Sequence, residues 1–536
     1  MNKTDQEIGI EELVDFLNSW SSKFIDKNLS FDEVFNIEGI PLWWFYKLLL
    51  IRGELPGFDS LIKINKDINN EGEISLQKKI KYQLSSFVYR KFLSINERIK
   101  KVIAIKNKPD EGSHLKRILF LTFTNHIQDQ KLKKIHILTD LLKKIRSDGQ
   151  LEESILAFDP LSRLSIKKLR SVKALPYSHI KDINEKEIRK KADQLSQKWN
   201  NLDEEVKNNL FRYKDKNVFP HIKYQLNLVF SYELIYLVSL YYELIKDIIK
   251  TKKIQLVFLT GNGTLIERCA LAAANNTNKD SLFSPHGTLS EATDYPFFKK
   301  AKFAVFGKEE KRMLIRKGII KENIKITGPL VFDNLSEYLK NGNKLKSTKK
   351  KIILFATQAA VEKNMINKKD YFGNIKNYLK TLDKIRDISI VIKLHPAEKY
   401  VGEYKKIIQS LNNKDVSIIQ GKERSIYELI NKSDILVTFK TSVLFIAMAL
   451  HKPIIKIDLF DHHTIPSIDE KEASQAILQI GHKTDFSTIL KKILFDEAIQ
   501  KKILNKQDEF IKNYFYKMDG KAYERVFEYI CQIIRD

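Results

Sequence analysis

Ile254-Gln255-Leu256-Val257-Phe258-Leu259-Thr260-Gly261-Asn262-Gly263-Thr264, running straight into Leu265-Ile266-Glu267-Arg268-Cys269-Ala270-Leu271-Ala272, decides the fold. The first part is apolar without alternation, as in a strand buried on both faces. Two glycines then permit a tight turn, and Thr264 opens a run of helix formers. Working outward, the unit recurs. Upstream, Arg117 to Phe123 (RILFLTF) reads as a strand, Lys131 to Ser147 as a helix stopped by Asp148-Gly149, and Glu153 to Phe158 as a second strand. Leu164 to Lys250 is mostly helical. Downstream come strands at Asp280 to Phe283, Phe303 to Phe306 and Ile324 to Thr327, with a helix over Glu309 to Lys317. Strands alternating with helices predict a doubly wound parallel sheet.

A second series begins at Lys351 to Phe355 (KIILF). Its strands end at Leu394, Gln420 and Thr438, and Pro453 to Asp458 reads as the last before a helical stretch from Glu470 to Asp536. Asp110-Glu111-Gly112-Ser113 reads as a linker, and the polar, lysine-rich Asn341 to Lys351 as another. The predicted organisation is a helical N-terminal region (1–112), a Rossmann-like domain with a helical insertion (113–340), and a second Rossmann-like domain with C-terminal helices (341–536). Two such halves with a helical tail form the α/β arrangement called GT-B, in which two domains face a cleft and the last helices cross back to brace the first half.

The chain has 536 residues, enough for two or three cores. Lys and Arg outnumber Asp and Glu by 93 to 67, a net charge of +26 that favours anionic partners. The basic residues are spread along the chain, which argues against a dedicated nucleic-acid binder. Cys269 and Cys531 are too far apart in sequence to suggest a disulfide framework or metal spacing, and with no signal-peptide pattern at the start they point to the cytoplasm. Leu226 to Ile245 carries Glu233 and Glu243 and reads as a buried helix. The aromatic segment Ile40 to Lys47 reads as a core anchor. Gln77 to Lys108 is basic and amphipathic; it reads first as solvated lysines over a core stripe, second as a face for an anionic membrane.

Candidate chemistry sits where strands end. His286 and Gly287 follow Asp280 to Phe283; His286 is read as a general base, or equally as a ligand-binding group. Asn262, Gly263 and Thr264 form a glycine-rich opening to a helix, suited to donor or acceptor binding. In the second half Lys393 and His395, held by Pro396, end a strand, so His395 reads as a phosphate-binding or catalytic group. Lys440, Thr441 and Ser442 occupy a later strand-to-helix turn that favours phosphate. Gly328, in Thr327-Gly328-Pro329, ends the last strand of the first half and is expected to face the donor. Asp458 with the pair His462-His463 could form a metal site, but no further ligand stands at a recognisable spacing, so no essential metal is expected.

The order G-N-G-T, S-P-H-G-T, K-I-T-G-P, K-L-H-P and S-D-I-L-V-T-F-K-T-S, over roughly residues 254 to 460, resembles bacterial surface-polysaccharide transferases of GT-B type. The similar groups are capsule transferases using CMP-activated keto sugars (Kdo and polysialic acid transferases) and CDP-glycerol glycerophosphotransferases. The resemblance implies that His395 and the Thr441-Ser442 pair hold the donor's phosphate and cytidine moiety, and that His286-Gly287 matches a catalytic H-G pair. It implies a nucleotide-sugar as substrate with no separate cofactor and a glycan or lipid-linked acceptor; the excess of positive charge fits both an anionic donor and an acceptor at the inner face of the membrane. A polyol-phosphate transferase, a sugar-nucleotide epimerase and a non-catalytic glycan- or membrane-binding scaffold are the alternatives.

Overall fold

The computed structural model describes residues 8–25, 28–51, 55, 57–59, 61–69, 74–103, 114–122, 127–128, 134–135, 137–157, 183–261, 263–287, 289, 300–335, 338, 350–362, 366–412, 415–421, 424–439, 443–459, 476–480 and 486–535. Two six-stranded sheets organise it. The first contains β1 (Lys116–Thr122), β2 (Leu151–Ala157), β3 (Ile254–Leu259), β4 (Asp280–Phe283), β5 (Ala301–Val305) and β6 (Ile324–Ile326), in spatial order β6-β5-β4-β3-β1-β2. The second contains β7 (Lys351–Ala356), β8 (Ile388–Lys393), β9 (Val416–Ile419), β10 (Ile435–Thr438), β11 (Ile454–Ile457) and β12 (Leu478–Ile480), in order β9-β8-β7-β10-β11-β12. Every pairing within both is parallel. The direction of winding reverses between β1 and β3, and again between β7 and β10. Ligands of open α/β sheets bind outside the carboxyl ends of strands at such reversals. This is the GT-B arrangement of two doubly wound domains.

Helices cover both faces. Those used below are α1 (Leu42–Ile51), α2 (Leu76–Ile103), α3 (Thr139–Asp148), α4 (Glu185–Asn201), α5 (Phe219–Val229), α6 (Tyr232–Thr251), α7 (Leu265–Asn276), α8 (Lys308–Arg316), α9 (Glu497–Tyr514) and α10 (Ala522–Arg535). Successive strand residues point to opposite faces. Accordingly, Val257 and Leu259 pack with α1, α4, α6 and α7, while Leu256 and Phe258 pack with α3 and α10. The C-terminal helix α10 thus returns to the first sheet, burying Val526, Ile530 and Ile533 there.

The N-terminal helices do not build a separate core. Their apolar residues from Ile8 onward join one continuous cluster with α4 to α7 and the first sheet. Trp43 donates from its indole N–H to the Leu17 carbonyl at 2.7 Å, and Tyr46 donates to the Leu234 carbonyl at 2.7 Å. Buried Arg268 of α7 stacks 4.6 Å from the Trp44 ring and donates to the Trp44 carbonyl. The aromatic segment is therefore a core anchor, and Cys269 is fully buried beside it. Among the described residues no single helix is long and apolar enough to cross a membrane. Helices α5 and α6, bent by 53°, match a span in length and composition together, but α6 is buried in this core.

Three local readings are corrected. Helix α3 starts at Thr139, not Lys131; a two-residue antiparallel pairing, Ile127–Gln128 with Lys134–Ile135, precedes it. Strand β12 lies inside the stretch expected to be helical, because three residues are too few to show a period. A short hairpin, Asn36–Ile37 with Ile40–Pro41, interrupts the N-terminal helices, its turn made by Glu38 and Gly39 at φ 48° and 81°.

Candidate functional site

Register places the strand ends. Leu259 of β3 pairs with Phe283 of β4, so Thr260 and Ser284 leave the sheet side by side. The Ser284 N–H donates to the Leu259 carbonyl at 2.9 Å and the His286 N–H to the Thr260 carbonyl at 2.9 Å. The His286 ring then turns back, with Nδ1 2.7 Å from the same Thr260 carbonyl. A carbonyl only accepts, so Nδ1 carries the proton and, in the neutral ring, Nε2 carries the lone pair. The Thr260–Thr264 turn and His286–Gly287 thus lie together at the carboxyl edge, next to the winding reversal.

That edge is braced by two carboxylates that the sequence reading overlooked. Glu267, in the first turn of α7, accepts from the Thr264 N–H (3.0 Å) and hydroxyl (2.8 Å), while Thr264 Oγ accepts from the Glu267 N–H at 3.3 Å. This reciprocal capping box engages the Thr264 groups expected to meet a ligand. A Cβ on Gly261 would lie 2.4 Å from the Glu267 carboxylate, which explains that glycine. Glu310 of α8, fully buried, accepts from the Leu289 N–H at 3.0 Å and the Phe306 N–H at 2.7 Å. It fastens the loop carrying His286 to the next strand-helix turn. Burial pushes its carboxyl up to about 7, against the pull of those two N–H groups. Among the described residues a methyl on Gly287 would meet nothing within 4 Å. Asn262 lies outside the described residues.

The second edge is built differently. Ala356 of β7 pairs with both Lys393 of β8 and Thr438 of β10, so Thr357, Leu394 and Phe439 leave the sheet side by side. The His395 N–H donates to Thr357 Oγ (3.1 Å) and to Glu398 (2.7 Å), and His395 Nδ1 accepts from the Ala397 N–H at 3.1 Å. An accepting Nδ1 leaves the proton on Nε2 in the neutral ring, the reverse of His286. Glu398 also receives the hydroxyls of Thr357, Tyr404 and, at 3.3 Å, Tyr371. Burial raises its carboxyl above the ordinary range, while the bonds from Thr357, Tyr404 and the His395 backbone hold it back. A glutamate three residues after His395 is the one sequence signal for this cradle, because that spacing returns a carboxylate to a backbone N–H.

Two expected ligand groups turn inward. Lys393 is 7% exposed and donates to the Gly421 carbonyl, tying the end of β8 to the turn after β9. Gly328, at φ +83°, lies against the C-terminal crossover: a Cβ there would stand 2.8 Å from the Lys517 carbonyl and 3.1 Å from Arg525. Arg525 Nε donates to the Thr327 carbonyl at 2.5 Å. Its turn packs against the crossing chain. Lys440, Thr441, Ser442, His462 and His463 lie outside the described residues. Among the described residues no group of three or more His, Cys, Asp or Glu side chains is arranged to hold a metal.

No protein-family model matches this chain, and no curated protein matches it. Among solved structures it is similar to S. aureus MnaA with UDP (16% identity, covering 79% of this chain and 98% of that one, TM-score 0.49). It is also similar to the UDP-GlcNAc 2-epimerase of Neisseria meningitidis bound to UDP-GlcNAc (14% identity, 78% and 100%, TM-score 0.48). A third is the wall teichoic acid polymerase TagF soaked with CDPG (13% identity, 86% and 99%, TM-score 0.42). At such distances the function has to be read from this chain's own residues.

Proposed function

We propose that this chain is a metal-independent glycosyltransferase that moves a sugar from a cytidine-linked nucleotide donor to a cell-surface glycan or lipid-linked acceptor. The observation that carries the reading is the opposite tautomer of the two histidines. In the neutral ring His286 carries a lone pair at Nε2 and His395 a proton at Nε2, each ring held through Nδ1 by backbone at the carboxyl edge of its own sheet. An acceptor hydroxyl that attacks the anomeric carbon must lose a proton, and His286 Nε2 takes it. As the bond from anomeric carbon to phosphate oxygen breaks, the electron pair stays on that oxygen, and the His395 N–H stabilises it. Lys440, Thr441 and Ser442 follow β10, one of the strands flanking the winding reversal of the second sheet, and by the resemblance of their motif they add further phosphate contacts. The preference for cytidine rests on the same resemblance.

The epimerase alternative calls for carboxylates free to move protons. Glu267, Glu310 and Glu398 are each engaged with backbone N–H groups, which favours transfer. The test is release of CMP from CMP-linked keto sugars in the presence of acceptor, with release of CMP from CDP-glycerol marking the polyol-phosphate alternative. His286→Ala should lower turnover by about 10²–10⁴-fold while leaving nucleotide binding intact. Unchanged turnover in that variant removes the base from the scheme.

A further inference from the structure

We propose that the outward face of α2 docks on an anionic phospholipid bilayer. The inference does not depend on the reading of the histidines. One side of this 28-residue helix is anchored. Tyr82 and Leu93 are buried, and the Tyr82 ring stacks 5.1 Å from Phe58. Lys78 pairs with Asp59 at 3.1 Å and Asp67 at 2.6 Å. The other side is bare. Leu76, Ile80, Leu84, Phe87, Val88 and Phe92 recur at three- and four-residue spacing and are 52% to 72% exposed. They are six of the fourteen large hydrophobic residues exposed among those described, so this is a patch and not scatter.

The charge around the stripe selects the occupant. From Leu76 to Asn96 there is no Asp or Glu, and there are five Lys or Arg, of which Lys78 and Lys81 pair with Asp59 and the others are Lys79, Arg90 and Lys91. Lys91 Nζ stands 5.7 Å above the Phe87 ring, within the stripe itself. A second copy would bring one basic face against another, and like charges repel. A bilayer with anionic headgroups offers phosphate to the lysines and an apolar layer to the leucines and phenylalanines. The net charge of +26 adds long-range attraction of the same sign.

The experiment is co-sedimentation of the full chain with vesicles of phosphatidylcholine alone and of phosphatidylcholine mixed with phosphatidylglycerol. Binding is expected only with the mixture, and weaker at high salt. The triple variant Leu84→Gln, Phe87→Gln, Phe92→Gln should lower partitioning by at least about tenfold. The pair Lys79→Glu, Lys91→Glu tests the same face through charge, should the triple variant fail to fold. Failure to sediment with the mixed vesicles overturns the proposal, as does wild-type sedimentation by a folded variant. A dimer in light scattering that the triple variant turns into a monomer also overturns it, assigning the face to a second copy.

Discussion

His286 and His395 differ in what their neighbours ask of Nδ1. A carbonyl at 2.7 Å demands a proton there, and an amide N–H at 3.1 Å demands a lone pair. The carboxylates behind them set a pH dependence. In the unfolded chain Glu310 titrates near its ordinary value of 4.5, whereas in the folded chain it titrates at about 7. Between those values the folded state holds a proton that the unfolded state has lost. Stability from this group therefore falls as pH rises through the window, by on the order of 3 kcal/mol at most. Asp333, which accepts from the Ala522 and Tyr523 N–H groups at the start of α10, is raised by burial to about 6 and acts with the same sign lower down. Urea unfolding at pH 5 and pH 8 should show a larger loss in the wild type than in Glu310→Gln; equal losses contradict the assignment. The histidines were legible because His-Gly and His-Pro follow apolar runs. Glu310 and Glu398 were not, since an acid in the first turn of a helix or in a loop is ordinary until its burial is known.

At the scale of elements, strands buried on both faces were the readable part, because IQLVFL and KIILF have no polar side to confuse. The turns were less readable. Thr264 reads as a ligand group or as a cap with equal ease, and only the return of Glu267 reveals the cap. The glycines separate in the same way. A Cβ at Gly307 would stand 2.2 Å from the Tyr514 carbonyl at the end of α9, whereas one at Gly287 meets nothing within 4 Å among the described residues. Gly307→Ala should therefore destabilise by about 1–3 kcal/mol. Gly287→Ala should stay within about 0.5 kcal/mol of wild type in the same denaturation experiment. Equal effects at the two sites would mean that the crossover does not press on the start of α8 as described.

The two lobes are joined by an aromatic cluster that neither half owns. Phe515, fully buried, lies 5.9 Å from Phe306, 6.0 Å from Phe332 and 4.8 Å from Phe445, measured between ring centroids. Phe515→Ala should cost about 3–5 kcal/mol in chemical denaturation; a loss under about 1 kcal/mol would show that this seam contributes little. That α10 belongs to the first sheet was legible only through the family resemblance, because nothing local in Ala522–Arg535 says which sheet its apolar stripe will meet. On the proposed reading a phosphate-bearing cytidine nucleotide sits against the His395 edge. The most direct measurement is the thermal midpoint of wild type and His395→Ala with CMP, CDP, UDP and GDP. A cytidine nucleotide should raise the wild-type midpoint by at least about 2 °C and the variant's far less. A shift with UDP or GDP alone, with no nucleotide, or of equal size in the variant, would contradict it.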